Sequence, residues 1–210
     1  MRSATNVRAT IVFGIYLPND ALDMGMTTLR IVCIGSSAGG LAPTMEFFKI
    51  MKPNCGMAFV VIQHLKADST SLTPSILSRI TSMTVTAAVD QEQALPNHVY
   101  TINPNTQLTI VDGRFHVRHR TETPGRHKPF DRFLNSLAIN SKERATAVVF
   151  SGYDGDGSEG FVAIKAQGGS TYAQDRGALI DEMPEHAIAT GCVDHVLDPG
   201  RIAEQISSTC

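Results

Sequence analysis

Leu29-Arg30-Ile31-Val32-Cys33-Ile34-Gly35-Ser36-Ser37-Ala38-Gly39-Gly40-Leu41 is the stretch on which the fold turns. Its first half is apolar and β-branched, as in a strand buried on both faces of a parallel sheet. Glycines and serines then stop the run abruptly. Beyond them Leu41, Met45, Phe48 and Met51 recur at helical spacing, with Pro43 tolerated in the first turn. The unit is strand, tight turn, helix. Gly35-Ser36-Ser37-Ala38-Gly39 also fits the pattern G-x-S-x-G, with Ser37 rather than Ser36 at its centre. In that pattern a sharp turn lifts a serine hydroxyl above the sheet, and small neighbours let the chain bend.

The alternation continues outward. Met57 to Ile62 is the next apolar run and ends at Gln63-His64. A helical stretch from about Ser71 to Ile80 and a short strand from Val85 to Ala88 follow. Val99 to Ile102, Gln107 to Val111 and Arg114 to Val117 are strand-like around Asp112-Gly113, a strong hairpin signal. They predict a β-hairpin insertion around 99–117 that projects from the sheet or extends its edge, followed by an exposed loop over 118–128. Phe130, Phe133, Leu134, Leu137 and Ala138 make one helix face. Ala145 to Phe150 is a strand broken by Ser151-Gly152, and a helix through Phe161 and Ile164 leads to Gly168-Gly169. Strands at Ser170 to Ala173 and Val193 to Leu197 and helices at Pro184 to Ala189 and Ile202 to Ile206 complete the chain. Such alternation predicts an α/β fold: a doubly wound, mostly parallel sheet flanked by helices. Residues 29–207 form the expected domain, and 1–28 an N-terminal extension in which Ala9 to Leu17 reads as a strand stopped by Pro18-Asn19-Asp20.

Bulk composition narrows the function classes. The 210 residues suit one domain, or one domain plus a tail, and 42% hydrophobic content supplies a core. Net charge is −2, with Lys and Arg scattered, so no nucleic-acid partner is expected. No run reaches the ~18 apolar residues of a membrane span. The early polar residues Asn19, Asp20 and Asp23 argue against a secretory leader. The four cysteines form no CxxC pair, Cys33 reads as a core residue, and such sparse usage suits a reducing cytoplasm.

In doubly wound sheets, ligands bind beyond the carboxyl ends of the strands. Three such places carry reactive side chains: the turn after Ile34, His64 after its strand, and Ser151-Gly152-Tyr153-Asp154-Gly155-Asp156-Gly157. A serine hydroxyl becomes a useful nucleophile when a base takes its proton, and a carboxylate can orient that base. Competing readings fit less well. A phosphate loop needs Lys and Ser/Thr where Leu41-Ala42 stand, and a dinucleotide turn fails at Ser37. A calcium loop matches at Asp154, Asp156 and Ser158 but has Glu159 in place of Gly and Lys165 in place of its bidentate Glu. His116 and His119 would point to opposite faces of a strand. They, with His98, His127, His186 and His195, read as structural or surface residues. No metal or other cofactor is expected.

The three places occur in the order Ser, His, acid, unlike the usual α/β-hydrolase order. Ile34-Gly35-Ser36-Ser37-Ala38-Gly39-Gly40-Leu41, Ile62-Gln63-His64-Leu65 and the 151–157 string resemble the catalytic domain of the chemotaxis protein-glutamate methylesterases, the CheB family. Further matches are Tyr100-Thr101-Ile102-Asn103-Pro104, Lys128-Pro129-Phe130-Asp131, Ala173-Gln174-Asp175, Met183-Pro184 and Ala189-Thr190-Gly191. The resemblance spans about residues 29–207. It implies hydrolysis of γ-glutamyl methyl esters on the cytoplasmic domain of methylated chemoreceptors, releasing methanol, with deamidation of receptor glutamines as a second activity. It assigns Ser37 as nucleophile, His64 as base and Asp156, rather than Asp154, as the acid. Backbone N–H groups near Ala38 and Tyr153 become the oxyanion donors.

Three departures bear on the site. Ala38 lacks the hydroxyl some members carry as Thr, and Tyr153 replaces a Met found in others. Asp154 adds a negative charge that either raises the imidazole pKa or disfavours an acidic receptor surface. Family members often carry an N-terminal receiver domain in a phosphorelay. With 36 residues before Ser37, no receiver domain is expected here. The chain is then a stand-alone esterase domain or part of a larger protein with a receiver or methyltransferase domain. The alternatives are a non-catalytic interaction module of the same fold and an esterase for another substrate.

Overall fold

The structure, a computed structural model, describes residues 11–12, 15–16, 29–64, 71–121 and 127–210. Within the strand expected over 9–17, the described residues form β1 (Ile11–Val12) and β2 (Ile15–Tyr16), paired antiparallel. The remainder of that stretch lies outside the described residues.

Seven strands make the central sheet: β3 (Ile31–Ser36), β4 (Ala58–Gln63), β5 (Thr84–Ala87), β6 (His98–Thr101), β9 (Ala145–Val149), β10 (Ser170–Gln174) and β11 (His195–Leu197). Their order is β11-β10-β9-β3-β4-β6-β5, and every pairing is parallel. Helices α1 (Leu41–Ile50), α2 (Thr73–Leu77), α3 (Pro129–Ser141), α4 (Ser158–Ala166), α5 (Glu182–Ala189) and α6 (Pro199–Ser207) cover its two faces. The period-two alternation of a strand explains the division. Ile31 and Cys33 face a core shared with Phe130, Phe133, Leu134 and Phe161. Val32 and Ile34 face the other, with Phe47, Phe48 and Ile202. Burying each large apolar side chain contributes roughly 1.5–3 kcal/mol.

The expected hairpin is present around the Asp112-Gly113 turn, but the first strand-like run, Val99 to Ile102, is not part of it. Val99 to Thr101 belongs to β6, a parallel strand between β4 and β5 inside the sheet. Val99 and Tyr100 are fully buried, so this strand has no solvent-facing side to spare. The hairpin proper is β7 (Thr106–Val111) and β8 (Arg114–His119). It forms a separate two-stranded sheet and lies along α3 rather than at the edge of the large sheet. Ile110 N–H donates to Ser136 Oγ at 3.1 Å and Gly113 N–H to Asn140 Oδ1 at 2.9 Å. Leu108, Ile110 and Phe115 fill the core beneath. The expected helix over 71–80 contracts to Thr73–Leu77.

From β3 the chain runs to β4 on one side and later returns to β9 on the other. The switch point, where a crevice opens at the carboxyl ends, therefore falls between β3 and β9. Ser37 follows the first of these strands and the 151–157 loop the second.

Candidate active site

The two loops at the switch point are stitched together. Ser37 N–H donates to Ser151 O at 3.0 Å, and Ser151 Oγ donates to Ala38 O at 2.9 Å. Ser151 N–H in turn donates to Gln174 Oε1 at 3.0 Å, and its Oγ accepts Ile180 N–H at 3.0 Å. The approach is close enough to demand glycine at 152. A Cβ there would lie 2.8 Å from Ser37 Cβ and 2.2 Å from Met183 Sδ. Ser36 is fully buried and its Oγ has no hydrogen-bond partner, whereas Ser37 is half-buried. The left-handed residue in this turn is Gly39, at φ 77°, and not Ser37. The turn bends after the serine instead of straining it.

His64 leaves the end of β4 and its backbone N–H donates to Ser36 O at 3.3 Å. Its Nε2 lies 2.5 Å from Asp156 Oδ2, which is a hydrogen bond, and its Nδ1 lies 3.6 Å from Asp154 Oδ2. A carboxylate only accepts, so a neutral imidazole carries its proton on Nε2 and leaves the Nδ1 lone pair for chemistry. Among the described residues no hydrogen bond joins Ser37 Oγ to His64. Hydrogen bonds of this kind are often loose before substrate binds.

Asp156 is held as firmly as it holds His64. Its Oδ2 also accepts Phe130 N–H at 3.0 Å and its Oδ1 accepts Asp131 N–H at 2.9 Å. These are orphan donors of the first turn of α3, which a carboxylate satisfies well. Asp131 repays the arrangement by accepting Gly160 N–H at 2.8 Å in the first turn of α4. The two aspartates thus cap each other's neighbouring helices. Burial pushes the Asp131 carboxyl up, opposed by that Gly160 N–H. Lys128 Nζ lies 3.4 Å from its Oδ2. The sequence offered Lys128-Pro129-Phe130-Asp131 as a likeness without this role.

Asp154 is a non-glycine residue at φ 68°. Its Oδ1 accepts Asp156 N–H at 2.7 Å, an Asx-type turn that aspartate tolerates in the left-handed region. Its N–H donates to Glu182 Oε2 at 3.2 Å. Tyr153 is exposed at the mouth. Backbone N–H groups of Ala38 and Tyr153 have no hydrogen-bond partner among the described residues. Met183 beside Gly152, and the His186 ring 3.3 Å from where a Gly155 Cβ would stand, also border the site. In the sequence Met183 stands out only through the family likeness at Met183-Pro184, and His186 reads as a structural or surface residue. His98 and His195 instead stack on Tyr100 and Tyr172. Among the described residues no group of three or more His, Cys, Asp or Glu side chains could hold a metal.

Burial by itself would lower the His64 pKa. The Asp156 hydrogen bond and charge, joined by Asp154, outweigh it and raise the pKa above 6.5, while Arg120 pulls the other way. An imidazole must be neutral to act as a base, so a raised pKa would put the acid limb of a reaction that uses it at higher pH. Asp154→Asn removes one negative charge and keeps the turn chemistry. The acid limb of the kcat/KM profile is then expected at lower pH than in the wild type, with an unchanged plateau. A limb that stays in place would remove Asp154 from the account.

The sequence profile of the CheB methylesterases matches residues 32–206. A Shewanella oneidensis protein named protein-glutamate methylesterase/protein-glutamine glutaminase 2 is 31% identical over 195 residues, covering 89% of this chain and 54% of that protein. A protein-glutamate methylesterase/protein-glutamine glutaminase of Bradyrhizobium diazoefficiens is 31% identical over 186 residues, covering 86% of this chain and 51% of that protein. The chain therefore spans about half the length of these curated relatives. The crystal structure of the Thermotoga maritima CheB methylesterase catalytic domain superposes with a TM-score of 0.79 at 26% identity, over 87% of this chain and 100% of that one.

Proposed function

This chain belongs to the CheB methylesterase family, and from that premise we propose that it hydrolyses γ-glutamyl methyl esters of chemoreceptors through Ser37, His64 and Asp156. The observation that carries the assignment is the His64 imidazole, anchored at Nε2 by Asp156 on the rim that bears Ser37. Nδ1 takes the Ser37 proton as Oγ attacks the ester carbonyl. The tetrahedral oxyanion is met by the Ala38 and Tyr153 N–H groups. His64 then protonates the departing methoxide, and methanol leaves. Water, deprotonated by the same nitrogen, resolves the acyl-enzyme to glutamate. Each oxyanion donor is worth about 3 kcal/mol in comparable sites. A glutamine side chain would follow the same path and release ammonia.

The setting that follows is the bacterial cytoplasm, with the cytoplasmic domain of a methylated receptor as partner. Among the described residues no helix is long and apolar enough to cross a membrane. The test is methanol release from methylated receptor membranes, paired with fluorophosphonate labelling and peptide mapping of the adduct. Methanol release and an adduct on Ser37 are expected. Folded protein that neither labels nor releases methanol would leave the non-catalytic module as the reading. Labelling without methanol release would redirect it to an esterase for another substrate.

A further inference from the structure

We propose that the outer face of the β7–β8 hairpin is a docking strip for an acidic α-helix, guiding a glutamyl ester to the Ser37–His64 rim; the second half of this statement rests on the esterase reading above. The strip follows from strand alternation. Phe115 and Val117 turn toward the core, so Arg114, His116 and Arg118 face outward, and Arg120 continues the series just beyond β8. Opposite them on β7 stand Val111, Thr109 and Gln107, none of them acidic. Residues 114–120 contain three Arg and two His and no Asp or Glu. Strand alternation thus sets three arginines of one short segment on a single face.

That face is concave. A groove of about 330 Å³ is lined by Gln107, Thr109, Val111, His116, Arg118 and Arg132. Among the described residues the Arg118 guanidinium makes no hydrogen bond or ion pair. Lys128, Arg144, Lys165 and Arg201, by contrast, each lie against a carboxylate. Two acidic residues are bonded to the edge of the strand: Asp90, whose Oδ1 accepts Val117 N–H at 2.8 Å, and Glu92, whose backbone O accepts Phe115 N–H at 2.8 Å.

The strip leads to the site. Arg120 N–H donates to Asn105 O at 2.9 Å, which pins the end of β8 near the carboxyl end of β6. From there the charge of Arg120 is felt at His64. The other end of the hairpin reaches Asn140, near the far end of α3.

Charge and spacing select the occupant. The chain as a whole carries net charge −2 and would repel an acidic partner, so the strip is a local reversal. Outward residues on a strand repeat every ~6.8 Å, and helix positions four apart repeat every ~6 Å. A helix with glutamates at four-residue intervals can therefore lay carboxylates along the strip in near register. The substrate chemistry agrees, because every ester hydrolysed leaves one more carboxylate on the partner.

The test reads binding separately from chemistry. A fluorescein-labelled helical peptide with glutamates four residues apart, and its glutamine counterpart, are titrated with the 210-residue protein at low and physiological salt. Fluorescence anisotropy reports binding, and hydrolysis of a small uncharged methyl ester is followed in parallel. For Arg118→Glu, affinity for the glutamate peptide is expected to fall about tenfold or more, with Arg118→Ala between it and wild type. Wild-type binding should weaken with salt. The small-ester rate should stay the same in both variants. Equal affinity for the two peptides, no measurable peptide binding, or unchanged affinity in Arg118→Glu overturns the strip. Strip-dependent binding by a wild-type protein inert toward the small ester upholds the strip and removes the esterase reading alone.

Discussion

Asp156→Asn is expected to lower ester hydrolysis by about four orders of magnitude, the scale seen when an orienting carboxylate is neutralised, and to destabilise the fold by about 1–3 kcal/mol. Both losses come from one count of hydrogen bonds. Three donors converge on the Asp156 carboxylate: His64 Nε2, Phe130 N–H and Asp131 N–H. An asparagine offers one acceptor oxygen and presents an NH₂ group in place of the other. If the oxygen takes the Oδ1 place and serves Asp131 N–H, the NH₂ faces both Phe130 N–H and His64, and the imidazole must move its proton to Nδ1. The nitrogen that should accept from Ser37 is then already protonated. If the oxygen serves His64, an amide of the first turn of α3 is buried facing another donor. Steady-state hydrolysis and urea unfolding midpoints measured on the same preparation check the two effects together. Lost stability with full activity would remove Asp156 from the catalytic assignment. Lost activity with unchanged stability would show that water or rearrangement satisfies the helix start.

Ser37→Ala is expected to cut hydrolysis by about 10⁶-fold, the loss typical of a removed serine nucleophile, with stability changed by no more than about 0.5 kcal/mol. The fold should survive because the stitch to the opposite loop uses the Ser37 backbone N–H, which alanine keeps. Ser36→Ala is the matching control. Its buried hydroxyl has no partner, so its removal orphans nothing and hydrolysis should persist. Single-turnover methanol release with circular dichroism on both variants reads the contrast. Activity retained in Ser37→Ala, or lost only in Ser36→Ala, would overturn the choice within the turn.

Much of the fold was legible because its signals are short-range. The apolar run Ile31 to Ile34, the helical spacing from Leu41 to Met51 and the face Phe130, Phe133, Leu134, Leu137 each declare one element within a dozen residues. The Asp112-Gly113 turn likewise marked its own hairpin. The same proximity misled at Val99 to Ile102, which stands near that hairpin in the chain but pairs with β4 and β5. Its pairing depends on strands elsewhere in the chain, and no local period encodes that.

The candidate site divides along the same line. The sequence by itself determined the residue types and their places after strands: Ser37 at the centre of its turn, His64 beyond β4, and an acidic loop after β9. Only the tertiary structure decided how they are used. The His64–Asp156 bond closes 92 residues of chain and the Phe130–Asp156 bond 26, so which aspartate meets Nε2 depends on the order of strands and the lie of α3. The left-handed turn at Asp154, the exchanged caps of Asp131 and Asp156, and the face shared by Arg114, His116 and Arg118 arise in the same way. Each is a meeting of polar groups whose partners are chosen by packing, because a donor buried away from water takes whatever acceptor the fold brings to it. The turn around Ser37 is therefore written in its own residues, while the groups that would activate its hydroxyl arrive from elsewhere in the chain.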